Sequence, residues 1–281
     1  FNIFSYRNFY NGGGVAIGDL NNDGLQDIYF TSNMGENKLY INEGNLKFKD
    51  ITQTAGVADS NKWSTGVALV DINSDGWLDI YVCNAGYRSQ GNTKNTLYIN
   101  NHDLTFTEKA EEYGLDEDGY TTHAAFFDFD MDGDLDVYIL NNSFIPVNTL
   151  NYSNARNLRA KDWNVKDFLK GGGDKLLRND NGKYIDVSER AGIYGSLIGF
   201  GLGVTVGDVD NDGWPDIYVS NDFFERDYLY INMKNGTFKE ELEIRISHLS
   251  TSSMGADMAD LNNDGCPEIF VTDMLPYNEY R

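Results

Sequence analysis

Five short segments of this 281-residue chain set carboxylates and carboxamides at fixed intervals around a glycine. They read DLNNDGLQD from Asp19, DINSDGWLD from Asp71, DFDMDGDLD from Asp128, DVDNDGWPD from Asp208 and DLNNDGCPE from Asp260. Oxygen-bearing side chains recur at positions 1, 3, 5 and 9 with glycine at 6, the donor set of a hard cation. Ca²⁺ takes roughly six to eight oxygens, and glycine permits the sharp turn that wraps a loop around it. The candidate ligands of the first loop are Asp19, Asn21, Asp23 and Asp27 with the Leu25 carbonyl. In the second they are Asp71, Asn73, Asp75 and Asp79 with the Trp77 carbonyl. The third offers Asp128, Asp130, Asp132, Asp134 and Asp136. The fourth offers Asp208, Asp210, Asp212 and Asp216 with the Trp214 carbonyl, and the fifth Asp260, Asn262, Asp264 and Glu268 with the Cys266 carbonyl. Up to five Ca²⁺ ions are expected, and no His or Cys side chain is placed for zinc.

The first six positions also fit an EF-hand, but that motif requires Glu at position 12 between two helices. Position 12 is Phe30, Val82, Ile139, Val219 or Val271, residues of strand type, and the EF-hand reading fails. Asp and Asn are also ordinary turn formers. Five copies at fixed spacing weigh against turns alone.

The loops begin 52, 57, 80 and 52 residues apart, so one unit is about 52 residues and the third carries an insertion at about 144–173. Each unit repeats internally. A glycine-containing apolar stretch precedes the loop (Gly66 to Val70, Gly203 to Val206), and a β-branched and aromatic run follows it (Ile28 to Thr31, Ile80 to Val82, Ile217 to Val219). A third run (Leu39 to Ile41, Leu97 to Ile99, Leu229 to Ile231) and a fourth, marked by Phe48, Phe106, Tyr184 and Phe238, complete the unit. Four short strands per unit with little helical periodicity predict an all-β chain, a β-propeller of four-stranded blades with the acidic loops between strands 1 and 2. Residues 1–281 read as one propeller domain of five visible units, the last incomplete, with the ring closed by sequence beyond Arg281.

The composition agrees with a packed, metal-requiring domain. With 41% hydrophobic residues the chain can bury a core, and no run of eighteen apolar residues suggests a membrane span. Its formal charge is −22, and 18 of its 44 acidic side chains sit in the five loops. A nucleic-acid role is not expected, since phosphate contacts need clustered Lys and Arg. Cys83 and Cys266 lie in different units and are not expected to pair.

The segments NGGGVAIGDLNNDGLQDIYFTSN and MGADMADLNNDGCPEIFVTDMLP resemble FG-GAP/VCBS repeats over essentially the whole chain. These are the calcium-binding blades of integrin α-subunit propellers, of the cartilage acidic protein and ASPIC/UnbV group, and of large Bacteroidetes surface proteins. The resemblance implies a seven-bladed ring, calcium between strands 1 and 2, and export, with a lipoprotein at the outer membrane beside a nutrient-uptake complex as one setting. Asn at 21, 73 and 262 and Glu268 depart from the all-Asp pattern.

A partner, protein or glycan, is expected on the loops away from the acidic ones, where Trp63, Tyr87, Arg88, Tyr120, His123, Phe223, Phe224 and Arg226 supply the aromatic and arginine mixture that interfaces favour. Blade-to-blade packing is the alternative use of each. The insertion is net +3 from Asn151 to Lys170 and includes Arg156, Arg159, Lys161 and Trp163. Leu158, Val165, Phe168 and Leu169 predict one face of a helix ending at Gly171 to Gly173. It reads equally as a docking element or as a solvated cover. Catalysis is not expected, because the carboxylates are committed to repeats, His102, His123 and His248 form no dyad, and no nucleophile motif occurs. The alternatives are a lectin-like or integrin-like adhesion propeller and, further off, a polysaccharide lyase or glycosidase on the same scaffold.

Overall fold

A computed structural model describes residues 7–86, 93–144, 156–223, 225–250 and 252–274. Tyr87, Arg88 and Phe224, three candidate partner residues, lie outside them. The chain forms two compact units, residues 1–126 with 179–185 and residues 127–178 with 186–281.

The predicted period-four strand pattern is what forms. In the first unit β1 (Val15–Gly18), β2 (Asp27–Phe30), β3 (Lys38–Asn42) and β4 (Phe48–Asp50) pair antiparallel in chain order. So do β5 (Trp63–Val70), β6 (Asp79–Ala85), β7 (Thr96–Asn100) and β8 (Phe106–Glu108). A third sheet has the order β12 (Tyr184–Asp186), β11 (Lys175–Asn179), β10 (Asp136–Asn141), β9 (Thr121–Phe127). The second unit holds the sheet of β13 (Gly201–Gly207), β14 (Asp216–Asn221), β15 (Tyr228–Asn232) and β16 (Phe238–Glu240), and the pair β17 (Ser253–Ala259) and β18 (Glu268–Asp273).

Three of the second strands are buried along their whole length, in keeping with their Ile, Val and Tyr content: every residue of β6, β10 and β14 is buried. Neighbouring blades then share side chains. Leu20, Tyr29, Leu39 and Ile41 pack with Ile80, Val82, Tyr98 and Phe106 in the first unit. In the second, Tyr218, Leu229 and Ile231 pack against Ala256, Met258, Ile269 and Val271. A glycine before the first loop and one before the second, Gly14 and Gly66, serve this approach. A Cβ on Gly66 would lie 2.5 Å from the Thr122 carbonyl oxygen, so only glycine lets the first strands of adjacent blades lie that close.

One recurring element was not legible as a helix. After each fourth strand comes a single turn, α1 (Thr52–Ala55), α2 (Ala110–Tyr113), α3 (Ser188–Ala191) and α4 (Leu242–Arg245). Asp50, Glu108, Asp186 and Glu240, the last residues of those strands, each accept the N–H two residues on and so satisfy a free donor of the turn. Gly56, Gly114 and Gly192 end three of these turns in the left-handed region.

The helix predicted in the insertion does not form among residues 156–173. Two three-residue 3₁₀ turns, Ala160–Asp162 and Asp167–Leu169, are separated by extended backbone at Trp163 and Lys166. Tertiary packing sets this path: Ala160, Trp163, Val165 and Leu169 cover Leu197, Ile198 and Phe200, and a short irregular segment reaches those contacts without a helical face.

Candidate cation sites

In four of the hairpins the first eight residues of the acidic motif connect the strands, and the register places position 9 opposite the residue just before position 1. Gly18 pairs with Asp27, Val70 with Asp79, Gly207 with Asp216 and Ala259 with Glu268. The loop folds on its own first carboxylate. In all five, the position-1 aspartate accepts the N–H groups of positions 5 and 6, as Asp19 does from Asp23 at 3.1 Å and from Gly24 at 2.7 Å. The position-5 aspartate accepts from position 7, at 2.8 Å in the first loop. Positions 4 and 6 are both left-handed, with φ from 54° to 60° at Asn22, Ser74, Met131, Asn211 and Asn263.

Position 9 is a buried pillar as much as a ligand. Asp27, Asp79 and Asp136 are fully buried and Asp216 nearly so. Asp27 accepts from the N–H of Leu20 (2.9 Å) and of Asn42 (2.9 Å); Asp79 does so from Ile72 and Asn100, and Asp216 from Val209 and Asn232. Burial raises the carboxyl of Asp27 and pushes those of Asp79 and Asp216 up to about 6, against the pull of those N–H groups. The asparagine closing each third strand completes the arrangement. The Asn100 amide donates to the Leu78 carbonyl and to the Leu20 carbonyl of the preceding loop, and Asn232 likewise reaches Pro215 and Phe129. Sequence reasoning missed these asparagines, although LYIN at 39–42, 97–100 and 229–232 was a signal.

The five loops differ at position 3. Asn21 and Asn73 donate to Asp23 and Asp75, and Asn262 to Glu268, so part of the charge is met inside the loop. The third and fourth loops carry Asp130 and Asp210 instead. Asp128, Asp130 and Asp136 bring carboxylate oxygens within 4.8 Å of one another, as do Asp208, Asp210 and Asp216. Oδ1 of Asp130, of Asp134 and of Asp210 is buried without a hydrogen-bond partner. Burial, then the neighbouring carboxylates, raise Asp130 and Asp134. Crowded, orphaned anionic oxygens are what a hard cation satisfies, so the residues fit Ca²⁺, best in these two loops.

The loop carboxylates also meet basic neighbours. His102 Nε2 lies 3.0 Å from Asp75 Oδ2 with its ring stacked on Trp77, a contact that sequence reasoning did not foresee. Arg245 reaches Asp210 at 3.1 Å and Lys234 reaches Asp212 at 3.0 Å.

The remaining candidate residues are mostly engaged within the chain. Trp63 is buried and tilted against Phe9, and Tyr120 is fully buried. Burial lowers the His123 imidazole. Arg226 pairs with Glu240 and Glu243, Arg156 with the buried Glu225 at 2.6 Å, and Lys161 with Glu189. Arg159 donates to the Ile193 carbonyl, and the Trp163 indole donates to the Leu158 carbonyl. Phe223 is 40% exposed and packs edge-on against Phe200. Cys83 is buried, Cys266 is exposed, and both are free thiols.

Four-stranded antiparallel blades, each with an acidic loop joining its first two strands, define a repeat protein of the β-propeller class. The FG-GAP-like repeat matches residues 10–82, 85–139 and 208–271, and the chain belongs to that family. It is 29% identical to cartilage acidic protein 1 of Mus musculus over 215 residues, 75% of this chain and 29% of that protein. It is 38% identical to integrin alpha-7 of Mus musculus over 84 residues, 26% of this chain and 7% of that one. A solved structure of an Agrocybe aegerita lectin that recognises non-reducing terminal N-acetylglucosamine is similar with a TM-score of 0.49 and 17% identity, over 92% of this chain and 59% of that one. The chain spans between a fifth and under a third of the length of the cartilage acidic protein relatives.

Proposed function

We propose that the chain is a non-catalytic, calcium-stapled binding and assembly module that works outside the cell or at its surface, with a protein or glycan as partner. The observation that carries this reading is the set of buried, unpartnered carboxylate oxygens converging in the third and fourth loops. The cation would be held by Asp128, Asp130, Asp132, Asp134 and Asp136 in the third and by Asp208, Asp210, Asp212, Asp216 and the Trp214 carbonyl in the fourth, with weaker sites in the other three. Its chemistry is charge neutralisation that ties the two inner strands of a blade. Calcium modules of the extracellular kind bind at about 10⁻⁴ to 10⁻³ M, which suits an exported chain. Membership of a family whose relatives include integrin α-chains and cartilage acidic protein supports an adhesive setting. Two of the histidines support a non-catalytic role, since His102 is paired with a loop carboxylate and His123 is half-buried with its Nδ1 shielded from solvent.

Thermal unfolding with and without chelator, with bound metal counted by elemental analysis, tests the reading. At calcium 100-fold above its dissociation constant each occupied site adds about 2.7 kcal/mol, so removal should lower Tm strongly. An unchanged melt and no bound metal would mean that the loops are only turns.

A further inference from the structure

A cavity of about 480 Å³ in the second unit is walled by Arg178, Arg190, Lys234, Trp214, Asp130 and Asp132, and nothing in the repeat pattern announces it. Its size falls in the range of small-ligand sites, roughly 300–1,000 Å³. The repeat supplies an internal comparison. Trp77 and Trp214 hold the same position in their loops, and His102 and Lys234 each follow the strand-closing asparagine by two residues, donating to its side-chain oxygen at 2.9 Å. In the second repeat the His102 ring covers Trp77 at 4.7 Å. In the fourth, Lys234 turns to Asp212, and Trp214 lines the cavity with no ring partner among the described residues. Arg190, on the turn after β12, is exposed and makes no hydrogen bond or ion pair among the described residues.

We propose that this cavity binds an anionic sugar, with the pyranose ring on the Trp214 indole and its carboxylate or sulfate held by the Arg190 guanidinium. An indole presents a flat apolar face that suits the C–H face of a sugar, and a guanidinium pairs with an oxyanion in a two-pronged geometry. The inference rests on the proposed function in one respect: a divalent cation in the third loop offsets part of the negative charge that Asp130 and Asp132 bring to the cavity wall, and so weakens their repulsion of an anion beside Arg190.

The test is calorimetric titration of the calcium-equilibrated chain with oligogalacturonate and with a heparin-derived oligosaccharide, using a neutral cello-oligosaccharide and polyglutamate as comparators and counting bound calcium in the same sample. One anionic sugar is expected to bind better than both comparators, and which one identifies carboxylate or sulfate as its acidic group. Arg190→Glu and Trp214→Leu are each expected to weaken binding at least about tenfold, with the calcium content of Arg190→Glu and its melting curve unchanged. A calcium-loaded chain that binds neither sugar, binds polyglutamate as tightly, or is indifferent to both substitutions overturns this inference alone. A chain without bound calcium overturns the proposed function.

Discussion

The residue ahead of the third strand is Asn37 and Asn95 in the first two repeats but Asp174 and Asp227 in the next two, and this difference predicts a pH-dependent weakness. Asp174 accepts the Asn141 N–H at 3.0 Å and the Tyr138 hydroxyl at 2.8 Å, with no charge-paired cation among the described residues. Burial outweighs those two hydrogen bonds and pushes its carboxyl up to about 7. The unfolded chain, with an ordinary carboxyl at 3.8, therefore loses this proton first as pH rises. The stability conferred by the neutral form is complete below about 3.8 and lost progressively up to about 7. That difference corresponds to about 4 kcal/mol as an upper bound. Asp174→Asn removes the charge and follows a template in the same chain: Asn95 accepts the Asn84 N–H at 2.7 Å and donates to the Tyr81 hydroxyl oxygen at 2.9 Å. At saturating calcium the variant should melt higher than the parent at pH 8 by several degrees, up to about 8 °C at roughly 2 °C per kcal/mol. The gap should shrink to under half at pH 5. A variant no more stable at pH 8, or a gap that does not change with pH, would refute the assignment of Asp174 as a buried acid opposed by its surroundings.

Three further substitutions probe the scaffold, each read by denaturant or thermal unfolding. Gly66→Ala places a methyl 2.5 Å from the Thr122 carbonyl oxygen and should cost about 1–3 kcal/mol; an unaffected midpoint would mean that the first strands of these blades lie further apart. Asn100→Ala leaves the Leu20 and Leu78 carbonyls and the His102 N–H without their side-chain partner and should cost about 1–3 kcal/mol, more than the same change at the exposed Asn45. Met131→Asn should stabilise by about 0.5–1 kcal/mol, since Met131 stands at φ 60° where three sibling loops place Asn; no gain would show that the loop imposes no strain there.

Much of the fold was legible because the repeat is written in local chemistry. A hairpin loop that closes on its own first aspartate through N–H groups four and five residues on needs only nine residues of sequence. The alternation of apolar runs and turn residues around it marks four strands per unit. Five copies of one pattern therefore specify strands, loops and candidate ligands without reference to distant residues. The tertiary structure decided whatever depends on residues far apart in the chain. It made position 9 a buried pillar shared with the third strand, and sent the Asn232 amide to a carbonyl 103 residues away. It replaced the expected helix with two short turns against Leu197 and Phe200, raised Asp174 by burial alone, and left Trp214 lining a cavity of mixed charge while its counterpart Trp77 is covered. Burial and charge proximity are properties of the packed neighbourhood, and no spacing along a single strand encodes them.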